Sequence, residues 1–260
     1  MEAPRRVIRR ILVAIGLSVV ALGAIIGVEL FLLLRREYLP SDPGYRVSAR
    51  VDPSGGPTMA PSVRLAVLGD STVVGVGSPT ELESLPVLIA QRTADELGRS
   101  VEVVGFGVAG ARTATLTSDQ LPLVEGGFDA VVLVIGANDA THATPWWELG
   151  RQTSEMLEKA SAIGASVVLA GTPRFSGTEI IPEPLRTIVD RYSAVLRSEQ
   201  AAAAVATPGV RFVDLAAEAS PRFAGRPGAT SSGGFHPSPI GYGFWADAIA
   251  PALVEVLEAG

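Results

Sequence analysis

The 260-residue chain has no cysteine and only two histidines, which excludes disulfides and cysteine-ligated metal sites and argues against a histidine-rich metal site. Its net charge of −6 is unevenly spread, with a balance of +4 in residues 1–36 and −10 in the remainder. An acidic body disfavours nucleic acid as a partner, because phosphate binding needs a basic surface.

An apolar run from Ile11 to Leu34 follows four arginines near the amino terminus. The run is longer than the ~20 apolar residues that a helix needs to cross a bilayer. It also exceeds the core of a cleavable signal, about 7–15 residues, and no small-x-small cleavage site follows it. We therefore predict a basic segment at 1–10 and an uncleaved single-pass membrane anchor at 11–34. Glu29, the one ionisable residue in the run, lies close enough to its end to reach the interface.

The arginines before the anchor predict a cytoplasmic amino terminus and an extracytoplasmic body, with a cytoplasmic body as the alternative. Residues 35–62 are rich in Pro, Gly and Ser and lack periodicity, so we predict a linker there. From residue 63 onward, short apolar segments alternate with helical ones. The predicted strands are 64–69, 101–104, 130–135, 166–170 and 210–214.

Buried apolar strands that alternate with helices are typical of a parallel sheet covered on both faces. We therefore predict an α/β domain at 63–260, a three-layer α/β/α sandwich with a five-stranded parallel sheet. Apolar spacing and helix-end residues indicate where the helices lie. The predicted helices are 82–97, a segment ending at about 121, 145–163, 184–204 and a last helix from Pro239.

Four loops carry residues capable of chemistry, and three of these loops directly follow predicted strands. Ser71 follows the first strand, Gly107 the second and Asn138 the third, while His236 precedes the last helix. Because parallel strands end at the same edge of a sheet, residues far apart in sequence can meet there. The sequence thus predicts one site built from four separate loops.

Each of these residues has a chemical role available. A serine hydroxyl becomes a nucleophile when a base takes its proton, and His236 can be the base for Ser71. The backbone N–H groups of Ser71 and Gly107 and the side-chain amide of Asn138 can stabilise an oxyanion. This chemistry requires no cofactor and no metal ion. Asp70 and Asp139 are expected to hold their loops by hydrogen bonds.

The four loops read Gly69-Asp70-Ser71-Thr72, Gly105-Phe106-Gly107, Gly136-Ala137-Asn138-Asp139 and Gly233-Gly234-Phe235-His236-Pro237. In order, spacing and placement after strands they resemble the blocks of the SGNH hydrolases, also called the GDSL family. The resemblance covers residues 64–258. It implies a flavodoxin-like sandwich and a serine esterase that forms an acyl-enzyme on Ser71, with Ser71, Gly107 and Asn138 forming the oxyanion hole and His236 acting as the base.

The chain departs from the family pattern at three positions. Thr72 replaces the usual Leu of the first block, and Gly105 replaces an Asn of the second. Gly233 stands three residues before His236, where the family carries an Asp that orients the imidazole. Three alternatives follow: a Ser–His dyad supported by a backbone carbonyl, a different carboxylate that reaches His236, or a weakened or inactive enzyme. The dyad is the prediction that we favour.

Two further functions remain open at this stage. The same residues can transfer an acyl group to or from an envelope glycan or lipid, and a chain that has lost its Asp can be a non-catalytic binding protein. The expected partners are a small-molecule, lipid or glycan ester and the membrane. We expect His142 to lie beside the pocket but not to act as the base. Trp146 and Trp147 are expected either to contact an acyl or sugar group or to pack at the start of their helix. Residues 175–181 are expected to shape substrate access.

Overall fold

The computed structural model describes residues 2–178 and 180–259, with side chains described from residue 7 onward. Met1, Glu179 and Gly260, which fall within the predicted segments 1–10 and 63–260, lie outside the described residues. The described residues form one six-stranded sheet with the strand order β1-β3-β2-β4-β5-β6. The strands are β1 (Ser48–Val51), β2 (Val63–Gly69), β3 (Val101–Gly105), β4 (Ala130–Val134), β5 (Ser166–Ala170) and β6 (Val210–Val213).

Strands β2 to β6 are parallel and confirm the five predicted strands within one or two residues at each end. β1 is a sixth strand, antiparallel to β3 at the sheet edge, with Ser48 opposite Val104. Residues 48–51, within the predicted linker 35–62, thus pair with the edge of the domain's sheet. The strand has four residues and only Val51 is buried, so it shows no apolar alternation that the sequence could reveal.

Helices cover both faces of the sheet. The helices are α1 (Glu2–Leu34), α2 (Ser71–Val74), α3 (Leu85–Leu97), α4 (Thr113–Thr115), α5 (Ala137–Thr141), α6 (Trp146–Ser161), α7 (Leu185–Ala206), α8 (Leu215–Glu218) and α9 (Pro239–Ala259). α3 and α9 pack together on one face, and α6 and α7 pack together on the other. The three-layer α/β/α architecture is thus confirmed.

Successive residues of the central strands point to opposite faces and build two cores. In β4, Val132 belongs to the core under α3 and α9, whereas Val131 and Leu133 belong to the core under α6 and α7. All three side chains are fully buried. This two-sided burial explains why the strands read as continuous apolar runs.

Two predicted helices differ in the structure. The helix predicted from 82 begins at Leu85, because Ser84 is extended and Pro86 lies in the first turn. Leu82 lies before it in a separate 3₁₀ turn and is 69% exposed. The helix predicted up to about 121 is α-helical only in α4. It continues as a π-helical turn at Leu116–Gln120 and a 3₁₀ turn at Leu121–Leu123.

Helix α1 contains an apolar stretch from Val7 to Leu34, 28 residues with a mean hydropathy of 2.8, which is long and apolar enough to cross a membrane. α9 meets the same length and composition test, but it is half buried as a core helix of the domain. The carboxyl end of α1 is not free. The Glu29 carboxylate, 7% exposed, accepts a hydrogen bond from the Leu185 backbone N–H at 3.1 Å.

The central strand β4 provides a test of the packing. Leu133→Ala should lower the free energy of unfolding by about 3 kcal/mol, because it leaves a cavity in a fully buried site. Leu123→Ala is the matched control: Leu123 is 60% exposed, so its loss should change stability by less than about 0.5 kcal/mol. Urea unfolding of the full chain in detergent measures both, and equal losses would contradict the burial of Leu133.

Candidate active site

Ser71 is the first residue of α2, directly after the buried strand β2. Asp70 caps this short helix, because its carboxylate accepts hydrogen bonds from the Thr72 N–H at 2.9 Å and the Thr72 hydroxyl at 2.8 Å. The Ser71 hydroxyl lies 2.8 Å from His236 Nε2. The structure thus brings together two residues that stand 165 positions apart in the chain.

Two glycines allow the backbone to come close around the Ser71 turn. A Cβ on Gly107 would lie 2.4 Å from the Val74 nitrogen, so this residue packs directly on α2. A Cβ on Gly77 would lie 2.4 Å from the Pro237 oxygen, so the chain after α2 packs directly on the His236 loop. The close approach of the three loops therefore depends on small residues.

The predicted oxyanion donors lie around Ser71, but they differ in whether they already donate hydrogen bonds within the protein. Within the described residues, the N–H groups of Ser71 and Gly107 have no hydrogen-bond acceptor. The Asn138 amide lines the cavity beside Ser71 and donates to the Ala111 carbonyl at 3.0 Å and to Asp70 Oδ2 at 3.4 Å. Gly107 contacts the Ser71 turn but is not among the described residues that line the cavity.

The backbone of the His236 loop is held by its own hydrogen bonds. The N–H and hydroxyl of Ser231 both donate to the His236 carbonyl at 2.9 Å, and Thr230 pairs with Pro237 in an antiparallel bridge. Among residues 7–178 and 180–259, the imidazole has no hydrogen-bond partner other than Ser71. Burial alone lowers the pKa of His236 from 6.5 to about 4.

Asp70 and Asp139 are both buried and hold loops of the site. Asp139 accepts hydrogen bonds from the N–H and hydroxyl of Thr113 and from the hydroxyl of Thr144, all at 3.0 Å. Burial raises the pKa of Asp139 above its usual value and the pKa of Asp70 to about 6, although hydrogen bonds to the Thr residues act in the opposite direction.

Two buried glutamines that sequence analysis did not single out fix the strand ends beneath the site. The Gln120 amide accepts a hydrogen bond from the Gly69 N–H at 3.0 Å and donates to the Gly69 carbonyl at 2.9 Å. The Gln200 amide donates to the Ile135 carbonyl and accepts from the N–H and hydroxyl of Thr172. Neither glutamine stands in a recognisable motif, and their partners are backbone groups 51 and 65 positions away.

A cavity of about 80 Å³ opens beside Ser71 and His236. Both aromatic rings and polar groups contribute to its wall. The wall includes Phe175, Phe223, Phe235 and Trp245 together with Arg174, Ser176, Thr178, Ser220 and Thr230. Residues 173–178 thus line this cavity, in the loop where the sequence predicts that residues 175–181 shape substrate access.

The remaining candidates lie elsewhere. His142 borders a different cleft and its Nδ1 is 2.9 Å from the Asn138 carbonyl oxygen. Trp146 and Trp147 begin α6 and are 46% and 64% exposed, outside the cavity wall. No group of three or more His, Asp or Glu side chains within the described ranges is arranged to hold a metal ion.

Gly233, the position of the missing Asp, is covered by the segment that follows α1. A Cβ on Gly233 would lie 3.0 Å from Leu39 Cγ and 3.4 Å from Leu39 Cδ1. Gly105, another departure from the family pattern, is covered in the same way, because a Cβ there would lie 2.9 Å from Val47 Cβ. In both places a residue from 35–62 occupies space that a longer side chain would need.

Solved structures with the same fold include TesA, with a TM-score of 0.60, 25% identity and coverage of 74% of this chain and 99% of that one. The lipase Lip_vut3 from a goat rumen metagenome has a TM-score of 0.59 at 19% identity, with coverage of 74% and 97%. At that identity the likeness shows the fold alone.

The sequence is 30% identical over 198 residues to the GDSL-like esterase Rv1075c of Mycobacterium tuberculosis. This match covers 75% of the chain and 63% of the relative, so the chain spans less than two thirds of that protein. Residues 67–244 match the GDSL-like lipase/acylhydrolase family over more than half of the chain. The chain therefore belongs to the GDSL-like lipase/acylhydrolase family.

Proposed function

We propose that the protein is a membrane-anchored serine esterase that hydrolyses a carboxylic ester through an acyl-enzyme on Ser71. The observation that carries the proposal is the 2.8 Å contact between the Ser71 hydroxyl and His236 Nε2 at the wall of an aromatic cavity. His236 takes the hydroxyl proton as Ser71 attacks the ester carbonyl, and it then returns the proton to the leaving alcohol. Water repeats the sequence on the acyl-enzyme.

The N–H groups of Ser71 and Gly107 and the amide of Asn138 are proposed as oxyanion donors. Free N–H groups at Ser71 and Gly107 support this role, whereas the Asn138 amide must leave the Ala111 carbonyl or Asp70 to take part.

The arrangement favours a Ser–His dyad, because no described carboxylate reaches the imidazole. Transfer of the acyl group to a glycan or lipid alcohol needs the same residues, and acyl release with and without added sugar acceptors separates the two reactions.

We propose the division of the chain into a basic segment at 1–10, a membrane anchor at 11–34, a linker at 35–62 and a catalytic domain at 63–260. The length and hydropathy of α1 support the anchor. Arginines on its amino side support a cytoplasmic amino terminus and an extracytoplasmic domain.

Ser71→Ala should reduce kcat/KM for a soluble nitrophenyl ester by at least about 10³-fold, because the acyl-enzyme cannot form. It should also abolish covalent labelling by a fluorophosphonate. Ser232→Ala is the matched control, since Ser232 is an exposed serine in the His236 loop and should keep full activity and labelling. Undiminished turnover by Ser71→Ala would refute the proposed catalysis.

The pH dependence follows from the burial of His236. The base must be neutral, and a pKa of about 4 keeps the imidazole neutral well below pH 6.5. The acid limb of kcat/KM should therefore have its midpoint near pH 4. Titration of Asp70, whose pKa is raised to about 6, should add a second, smaller change in kcat/KM near pH 6. Asp70→Asn should remove that change. An acid limb of kcat/KM with its midpoint at pH 6.5 would contradict the burial of an imidazole that has no carboxylate partner.

Restoring the missing carboxylate tests the dyad. Gly233→Asp requires room that Leu39 now fills, so the double variant Gly233→Asp/Leu39→Ala should raise kcat at least fivefold over Leu39→Ala alone. It should also move the acid limb to higher pH, because a carboxylate stabilises the imidazolium. Gly233→Asn/Leu39→Ala, of the same shape without the charge, is the control. An unmoved acid limb in the Asp variant would show that position 233 does not face the imidazole.

A further inference from the structure

The anchor helix is longer than a bilayer requires. The 28 residues from Val7 to Leu34 extend about 42 Å at ~1.5 Å per residue, whereas a hydrocarbon core of ~30 Å takes ~20 residues. The apolar stretch is therefore about two turns longer than the core requires, and its carboxyl-terminal turns are next to the domain. Those turns are the ones that dock, through the Glu29–Leu185 hydrogen bond and the packing of Ile26 and Leu33.

The apolar cluster against which these turns pack shares Phe175 with the wall of the cavity beside Ser71. Ile26 and Leu33 pack against a cluster that includes Phe175, Ile180 and Ile181, with Phe235 packed on the same cluster. The rings of Phe175 and Phe235 stand 6.4 Å apart, and both line the cavity. Within the described residues, the carboxyl end of α1 and the cavity are thus joined by a single apolar cluster.

Leu39 extends the contact to the second loop of the cavity, because it covers Gly233 in the His236 loop. We call residues 26–39 the docking segment. It packs on the apolar cluster that includes Phe175 and Ile180, and it covers Gly233, so it meets parts of two loops that carry cavity-lining residues. The position of the site relative to α1 is therefore fixed by side-chain contacts.

Exposed apolar side chains lie on the two helices next to the α1 contact, α7 and α6. Ile188, 44% exposed, lies one turn along α7 from Leu185, the residue that Glu29 binds. The next turn carries Tyr192, whose hydroxyl donates to the Thr144 carbonyl at the entrance to α6. The exposed rings of Trp146 and Trp147 begin that helix. Tryptophan is enriched where a protein meets the headgroup layer of a bilayer.

Positive charge lies at the same end of α1. Arg35 and Arg36 follow the helix directly, and the Arg35 guanidinium lies 4.7 Å from the ring centre of Phe31. Arginines at this level are suited to lipid phosphates, while the rest of the domain is acidic. We call the part of the protein that carries these aromatic rings, apolar side chains and arginines the membrane-facing end.

From these contacts we propose that the active site works at the surface of the bilayer that holds α1, on ester-bearing amphiphiles dissolved in that same bilayer. The proposal rests on the proposed esterase function and names its substrate class. The docking segment holds the aromatic cavity at the interface, so a lipid-borne ester reaches Ser71 without crossing water. A substrate confined to the bilayer gains from this placement, whereas a water-soluble ester does not.

The test compares two esters with the full chain reconstituted in phosphatidylcholine vesicles. One is a water-soluble nitrophenyl acetate, and the other is a fluorogenic long-chain ester dissolved in the bilayer. The variant Trp146→Glu/Trp147→Glu places charge at the membrane-facing end, and acidic residues in the first turn of α6 favour the helix. Val205→Glu is the matched control, because Val205 is 88% exposed and about 30 Å along α7 from Leu185.

We expect the double tryptophan variant to lose at least fivefold in kcat/KM on the bilayer ester and less than twofold on the soluble ester, with Val205→Glu unchanged on both. Glu29→Leu, which removes the acceptor of the Leu185 N–H, should produce the same selective loss, while Glu29→Gln retains an acceptor and should not. Equal losses on both esters, or no loss on either, would overturn the proposal. Turnover of both esters by Ser71→Ala would instead refute the esterase function itself.

Discussion

The hydrogen bond between Ser71 and His236 requires the loop before α9 to close on the turn after β2, and backbone packing provides that closure. Gly77 lets the chain after α2 touch the Pro237 carbonyl, and the Tyr242 hydroxyl on α9 donates to the Val76 carbonyl. Ser231 fixes the His236 carbonyl from within the loop. His236 is thus positioned by contacts to its backbone, while its second ring nitrogen has no described partner.

This mode of support has an electrostatic consequence. Burial without a paired carboxylate lowers the pKa of His236 to about 4, so the imidazole is neutral and available over the whole physiological pH range. The same shift weakens the imidazole as a proton acceptor, because the driving force for proton transfer falls with the pKa of the base. In the proposed reaction, His236 is thus a weaker base with a constant protonation state, so the proposed oxyanion donors carry more of the transition-state stabilisation.

The parallel strands and the four site loops could be predicted because their signals are local: apolar runs that end in small polar residues. What the sequence could not show depends on distant partners. β1 becomes a strand only because the edge of β3 is free to pair with it. Gln120 matters through a backbone group 51 residues away, and an isolated buried glutamine has no sequence signature. Glu29, expected only to reach the interface, instead binds the first turn of α7.

The absence of an Asp at position 233 is related to the packing of Leu39 on the His236 loop. A carboxylate at position 233 would need its Cβ where the Leu39 side chain now lies, 3.0 Å from Cγ, and it would be placed against an apolar group. A carboxylate there would lose hydration beneath the leucine, a cost that pairing with the imidazolium would have to offset, and a displaced Leu39 would lose its cover on the His236 loop. The glycine at the position of the family's Asp is therefore in contact with the segment that follows α1.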